Sequence, residues 1–210
     1  MSEASSTPRE NVVPLEQAAV RRCQGGEIDG LEFLYGIYAE RVFRTCLRIL
    51  GDRAAAEDQT HEVFLRLFEQ IGRFDGRSSF STWLYRLAVN HTLNRLRRRN
   101  RRSSKLREFV RPAEAPAREL PDRHVLRKEE ADRVQVLLSS LSPDHRTILV
   151  LREIEGLGYA EIAEVLGVAK GTVMSRLHRA RQELKRRWLQ ELEGIACSTK
   201  MSKRREARKA

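Results

Sequence analysis

Cysteine is scarce in this 210-residue chain, and what little there is forms no pattern. Cys23, Cys46 and Cys197 are odd in number and far apart. They make no CxxC pair and no metal spacing with His61, His91, His124, His145 or His178. Buried or free thiols in a reducing cytoplasm are therefore expected, with no metal and no cofactor. The opening ten residues lack the apolar run of a signal peptide. No segment approaches the ~18 consecutive apolar residues of a spanning helix, so no membrane insertion is expected. Strand-like alternation and internal repeats are both lacking. So are catalytic constellations. Gly156-Leu157-Gly158 begins like a phosphate-binding fingerprint, but no strand precedes it and Glu161 occupies the third glycine position. His61-Glu62 has no second histidine at zinc spacing, and no Ser/His/Asp set assembles. These absences argue against an enzyme.

Positive charge and helical period are what the chain has in quantity. Net charge is +11 and the pI about 10.2, which points to a polyanionic partner. The charge is clustered: Arg95 to Arg107 holds eight Lys or Arg and no acid, and Lys200 to Lys209 holds six against Glu206 alone.

The helical period falls in two blocks, which predicts an all-α protein of two small domains. After a short helix from about Pro14, Leu31, Leu34, Tyr35, Tyr38, Val42, Cys46, Leu47 and Leu50 recur at helical spacing up to Gly51. Asp52 is placed to cap a second helix whose apolar face is Val63, Phe64, Leu67, Phe68 and Ile71. A loop from Phe74 to Ser79 precedes a third helix from about Phe80, burying Phe80, Trp83, Leu84, Leu87 and Ala88. From Ser103 to His124 the period is lost among Pro112, Pro116 and Pro121, an extended tether. Period returns at Leu126, Val134, Leu137, Leu138 and Leu141, and Ser142-Pro143 forms an N-cap pair opening a helix through Ile154. The expected boundaries are a disordered stretch over 1–13, domains over 14–102 and 125–190, the tether over 103–124, and a basic tail over 191–210. Beyond Gly194 that tail is expected to be disordered.

The most informative stretch runs from Tyr159 to His178. Ala163, Gly167 four residues later and Val173 six beyond that are the spacing of two short helices crossing through a tight turn. The helix that follows carries Lys170, Thr172, Ser175, Arg176, His178, Arg179 and Arg181, with no acid before Glu183. Such a face suits the major groove of DNA. An αα-hairpin with a solvated basic face is the alternative.

Three motifs in order carry a family resemblance. They are Ala56-Glu-Asp-Gln-Thr-His-Glu-Val-Phe-Leu65, Ser79-Phe-Ser-Thr-Trp-Leu-Tyr-Arg-Leu-Ala-Val-Asn90, and Leu141-Ser-Pro-Asp-His-Arg-Thr-Ile-Leu-Val-Leu-Arg-Glu-Ile-Glu-Gly156 running into the helix-turn-helix. Together they resemble the extracytoplasmic-function (ECF) sigma factors of the sigma-70 family, over roughly Gln17 to Arg187. The resemblance implies a region-2 domain and a region-4 domain serving RNA polymerase at promoters.

It also implies residue roles. Asp58, Glu62, Phe64, Leu67 and Gln70 would dock on the core polymerase, with Phe64 and Leu67 open to the alternative that they are core. Phe74 and Ser79 would bracket the loop capturing a flipped −10 base, and Trp83 and Arg86 would stand at the upstream fork. Asn90 and Asn94 would lie near the bases, and Arg95, Arg97, Arg98 and Arg99 would hold phosphates. Trp83 as plain core is the other reading. Met174, Ser175, His178 and Arg179 would read the −35 element, with Lys170, Thr172 and Arg176 on phosphates. Met174 departs from the polar residue common there, His61 from glutamine, and Gly158 from the usual hydroxyl cap. Expected partners are core RNA polymerase, promoter DNA and an anti-sigma factor, for a chain monomeric when free. A stand-alone helix-turn-helix regulator is the alternative, but it would need a sensor domain that the first block does not supply.

Overall fold

The computed structural model describes residues 12–106 and 133–206; the expectations placed on 1–11 and 107–132, including Leu126 and most of the tether, lie outside the described residues. Within them the chain is helical and has no strand. No described helix is long and apolar enough to cross a membrane. Two units form. The first comprises α1 (Val12–Gln24), α2 (Ile28–Leu50), α3 (Arg53–Gln70) and α4 (Phe80–Leu106) as far as Leu96. The second is built chiefly from α5 (133–140), α6 (Pro143–Leu149), α7 (Tyr159–Leu166) and α8 (Lys170–Glu206).

In the first unit, α1 and α2 pack as a hairpin closed at Gly25-Gly26, with Arg22 paired to Glu27 at 3.1 Å and Asp29 at 3.3 Å. Gly30 sets how closely they approach. A Cβ there would lie 2.6 Å from the Ala19 carbonyl oxygen and 2.7 Å from the Cys23 backbone nitrogen, so no side chain fits. Leu34, Tyr38, Val42 and Cys46 follow at four-residue spacing and are all buried. Gly51, at φ 71°, ends α2 by returning its N–H to the Leu47 carbonyl. The Asp52 carboxylate then accepts the Ala55 N–H at 2.8 Å and starts α3. Val63, Phe64 and Leu67 of α3, Ile71 of the short 3₁₀ turn after it, and Phe80, Trp83, Leu84, Leu87 and Ala88 of α4 complete the core. Full burial of each large apolar side chain contributes about 1.5–3 kcal/mol.

Two residues assigned to that core are displaced from it. Tyr35 is 39% exposed and Phe68 37% exposed. Each follows a fully buried leucine by one residue, and one residue turns a helix by about 100°, enough to leave the buried stripe.

The second unit gathers Leu137, Leu138, Leu141, Ile148, Leu149, Val150, Leu151, Leu157, Ile162, Val173, Leu177 and Ala180 as buried apolar groups. Val134, expected among them, is 41% exposed. The Ser142 hydroxyl accepts the His145 N–H and Pro143 occupies the first turn of α6, as the sequence predicts. The helix then widens into a π turn over Val150–Ile154. Arg146 is an unforeseen core residue, 6% exposed, with its guanidinium donating to the carbonyls of Leu138 (2.7 Å), Ser139 (2.7 Å) and Leu141 (3.2 Å). It closes the C-terminal end of α5, where carbonyls have no helical partner. Burial lowers the pKa of this guanidinium from its ordinary value.

Two helices outrun their expected ends. α4 continues past Ser103 to Leu106. α8 passes Gly194 and continues to Glu206, where a disordered tail is expected from the sequence. The stretch past Gly194 is free of proline and carries the helix formers Lys200, Met201, Lys203, Arg204 and Arg205, so one glycine at a cost of about 1 kcal/mol does not stop it.

Candidate nucleic-acid interface

The turn between α7 and α8 has the geometry its spacing requires. Gly167 takes φ 64°, and the Val168 N–H reaches back to the Ala163 carbonyl at 3.0 Å. At the start of α7, Gly158 has no side chain to cap with, but its own N–H is held by Glu161 Oε2 at 2.7 Å, one half of a capping box.

The first three turns of α8 divide cleanly into faces. Val173, Leu177 and Ala180 point inward and are at most 1% exposed. Lys170, Met174, Ser175, His178 and Arg179 are exposed, with Thr172 and Arg176 half-buried on the flanks. The first turn has no acidic residue, and the helix dipole adds positive potential there. The Ser175 hydroxyl donates to the Thr172 carbonyl at 3.1 Å, which leaves its lone pairs as acceptors. Arg181 turns away from this face and pairs with Glu153 at 2.6 Å. His145 Nδ1 lies 2.7 Å from Glu183 Oε2. The His145 hydrogen bond holds the Glu183 carboxyl below its ordinary pKa of 4.5. These two contacts lock α8 to α6 and the π turn behind it.

α4 shows a polar stripe at three- and four-residue steps: Arg86, Asn90 and Asn94 within the first unit, and Arg97 and Arg98 just past its end, are all exposed. Arg95 is half-buried and pairs with Asp58 at 3.2 Å, joining a phosphate candidate to a polymerase candidate. Ahead of this helix, Phe74 is half-buried, its ring centroid 5.6 Å from those of both Phe80 and Trp83. Beyond it Asp75, Gly76 and Arg77 are exposed, and Gly76 takes φ 74°. The Ser79 hydroxyl accepts the Thr82 N–H at 3.1 Å and caps α4.

Comparison with known proteins settles the family. Residues 34–102 match the family model for sigma-70 region 2, and residues 131–184 the model for sigma-70 region 4. The ECF RNA polymerase sigma factor SigW of Bacillus subtilis is 32% identical over 180 residues, covering 80% of this chain and 93% of that protein. The RNA polymerase sigma-H factor of Pseudomonas aeruginosa is 36% identical over 176 residues, with coverages of 80% and 91%. The chain belongs to the ECF sigma factors. It acts with RNA polymerase in promoter recognition and transcription initiation. Among solved structures, the sigma factor RpoE of Bartonella quintana in complex with the anti-sigma factor NepR has the same fold. Its TM-score is 0.60 at 21% identity, covering 75% of this chain and 95% of that one. CnrH in complex with the cytosolic domain of CnrY gives 0.58 at 23% identity, with coverages of 81% and 94%.

Three residues of this sigma factor assigned to contacts are instead core. Trp83 is 8% exposed between Phe74 and Phe80, and a ring so enclosed has no face to offer an upstream fork. Phe64 and Leu67, at 4% and 0% exposure, are part of the core formed with α2, and only the edge of Phe64 reaches the surface. Asp58 and Glu62 are on the outer side of α3, Glu62 paired with Arg66 at 2.9 Å, and Gln70 is half-buried. The apolar groups that do face outward there are Leu65, 62% exposed, and Phe68. With Asp58 and Glu62 they form a stripe at i, i+4, i+7 and i+10. Beside it Leu31, Tyr35, His61, Phe64 and Leu65 line an apolar groove of about 380 Å³. Leu65 and Phe68 were visible in the sequence but fell one register away from the stripe assigned.

Proposed function

We propose that this sigma factor divides promoter recognition between its units: the outward face of α8 reads the −35 element as duplex, and the Phe74–Ser79 loop with α4 holds the −10 element as single strand. The observation that carries the reading is the separation of faces on α8. Met174, Ser175, His178 and Arg179 stand where base edges are met, and Lys170, Thr172 and Arg176 stand at the flanks for phosphates. Met174 can touch a thymine methyl but donates no hydrogen bond. For the −10 element, Phe74 and Ser79 bracket the loop, Arg86, Asn90 and Asn94 line the neighbouring helix face, and Arg95, Arg97 and Arg98 supply phosphate charge. Core polymerase docks on the stripe of Asp58, Glu62, Leu65, Phe68 and Gln70, an apolar strip with a carboxylate edge. RNA synthesis is left to the polymerase, and the chain acts in the bacterial cytoplasm without cofactor or metal, monomeric when free. Its domains run over 14–102 and 125–190. An anti-sigma factor is the expected regulator, since RpoE of Bartonella quintana, a neighbour of the same fold, was solved with one.

Run-off transcription with core polymerase on a randomised promoter library tests the whole reading. It should return two conserved elements. Charge reversal at Asp58 and Glu62 together should abolish activity by weakening polymerase binding at least about ten-fold, or ~1.4 kcal/mol. Unchanged affinity would remove the α3 stripe from the interface.

A further inference from the structure

Helix α1 takes no part in the contacts assigned above, yet its last residue reaches the loop that starts at Phe74. Gln24 Nε2 donates to the Ile71 carbonyl at 3.1 Å and to the Phe74 carbonyl at 2.9 Å. The Phe74 N–H also returns to the Ile71 carbonyl at 3.0 Å, so these two carbonyls mark the start and end of the turn leading out of α3. One amide from a different helix thus fixes the entry to the loop. Its exit is fixed separately, by the Ser79 cap on Thr82. Between the anchors, Asp75 accepts the Arg77 N–H at 3.2 Å, and Asp75, Gly76 and Arg77 are exposed.

The position of Gln24 is itself determined. The close α1–α2 crossing at Gly30 admits no Cβ, and Arg22 is paired to Glu27 and Asp29 across the hairpin turn. Tyr38 of α2 donates to the carboxylate of Glu16, holding the other end of α1. Position therefore passes from the α1–α2 hairpin, through one side-chain amide, to the backbone of the loop.

We propose that Gln24 is a positioning residue for capture of the unstacked −10 base. Without its two hydrogen bonds the loop entry samples more conformations, and the ordering cost moves to the moment of binding. The inference rests on the base-capturing reading of the loop. It adds that α1 sets how well the loop discriminates a base, while polymerase docking and −35 reading do not depend on it.

Holoenzyme reconstituted with core polymerase provides the test, by anisotropy of single-stranded oligonucleotides carrying a −10 element found by run-off transcription. A parallel set carries an abasic site at each position in turn. The captured base is the one whose removal weakens wild-type binding most. Gln24→Met keeps length but has no donor; it should bind the intact strand about three- to ten-fold more weakly. It should bind the strand lacking the captured base as wild type does, and core polymerase with unchanged affinity. Gln24→Lys, which restores a donor, should recover most of the loss. Equal binding of the intact strand by wild type and Gln24→Met overturns the proposal. So does an equal loss on intact and abasic strands, the mark of a merely structural role. A wild type indifferent to every abasic site overturns the base-capture reading itself.

Discussion

In the second unit the groups proposed to meet DNA stand on one helix, and that helix is divided between inward Val173, Leu177 and Ala180 and outward Ser175, His178 and Arg179. In the first unit the corresponding element is a loop, and its flanks are core. Phe74 packs edge-on against Phe80 and tilted against Trp83, and the loop backbone hangs from Gln24 and Ser79. The two arrangements suit the two states of the ligand. A rigid helix face matches the regular edges of stacked base pairs. An unstacked base needs a short exposed backbone held on a stiff aromatic base. Recognition and stability are therefore separable in the second unit and shared in the first.

The strongest challenge to this contrast is Trp83→Ala. Removing a ring 8% exposed should destabilise the first unit by about 3–5 kcal/mol and leave the unfolding transition of the second in place. Calorimetry of the full chain resolves the two transitions. Transcription should fall equally on a duplex promoter and on one with a pre-melted bubble. Rescue by the bubble would return Trp83 to a direct part in melting and erase the difference between the units.

Arg146→Ala is the counterpart in the second unit. It leaves three carbonyls at the end of α5 without their guanidinium donor, a loss of about 2–3 kcal/mol. Urea unfolding should register it in the second unit only. If −35 binding at low temperature fell much further than stability, the reading helix would be less independent of its core than its faces imply.

Arg179→Ala sharpens the comparison from the other side. The residue is exposed, so stability should hold while promoter binding weakens by about 1–3 kcal/mol and one or two −35 positions lose preference. Binding selection on a −35 library measures this. A uniform loss across sequences would move Arg179 from base reading to phosphate contact.

The smallest expected effect concerns the lock behind the reading helix. The His145 hydrogen bond lowers the Glu183 pKa, so Glu183 binds its proton less readily in the folded unit than in the unfolded chain. Its contribution is complete above the ordinary value of 4.5 and is lost as pH falls through the depressed folded value. Glu183→Gln should flatten the acid side of the second unit's stability profile by up to ~1 kcal/mol and leave the first unit's unchanged. Urea midpoints taken from pH 6 down to about pH 3 report it.

The helix-turn-helix could be read almost completely from sequence, because every constraint in it is local. Gly167 is needed at positive φ, Val173 and Leu177 recur at helical spacing, and the groups between them must then face out. The same local logic located Gly51, Asp52, Ser142-Pro143 and the start of α4 at Phe80. Other assignments depended on how separate elements pack against one another. Helical period marks Phe64, Leu65, Leu67 and Phe68 as apolar, but only packing against α2 decides that Phe64 and Leu67 are buried and Leu65 and Phe68 face outward. Nothing near Arg146 announces a buried cation, since its acceptors are carbonyls brought to it by the end of another helix. Trp83 is enclosed by Phe74 and Phe80, and Gln24 reaches carbonyls 47 and 50 residues on. Sequence alone determined most of the elements, their caps and the outward face of α8, because backbone conformation and helical period are properties of neighbouring residues. Only the tertiary structure decided which side chains are enclosed and which carbonyls are held, because burial and hydrogen-bond partnership arise where separate elements meet.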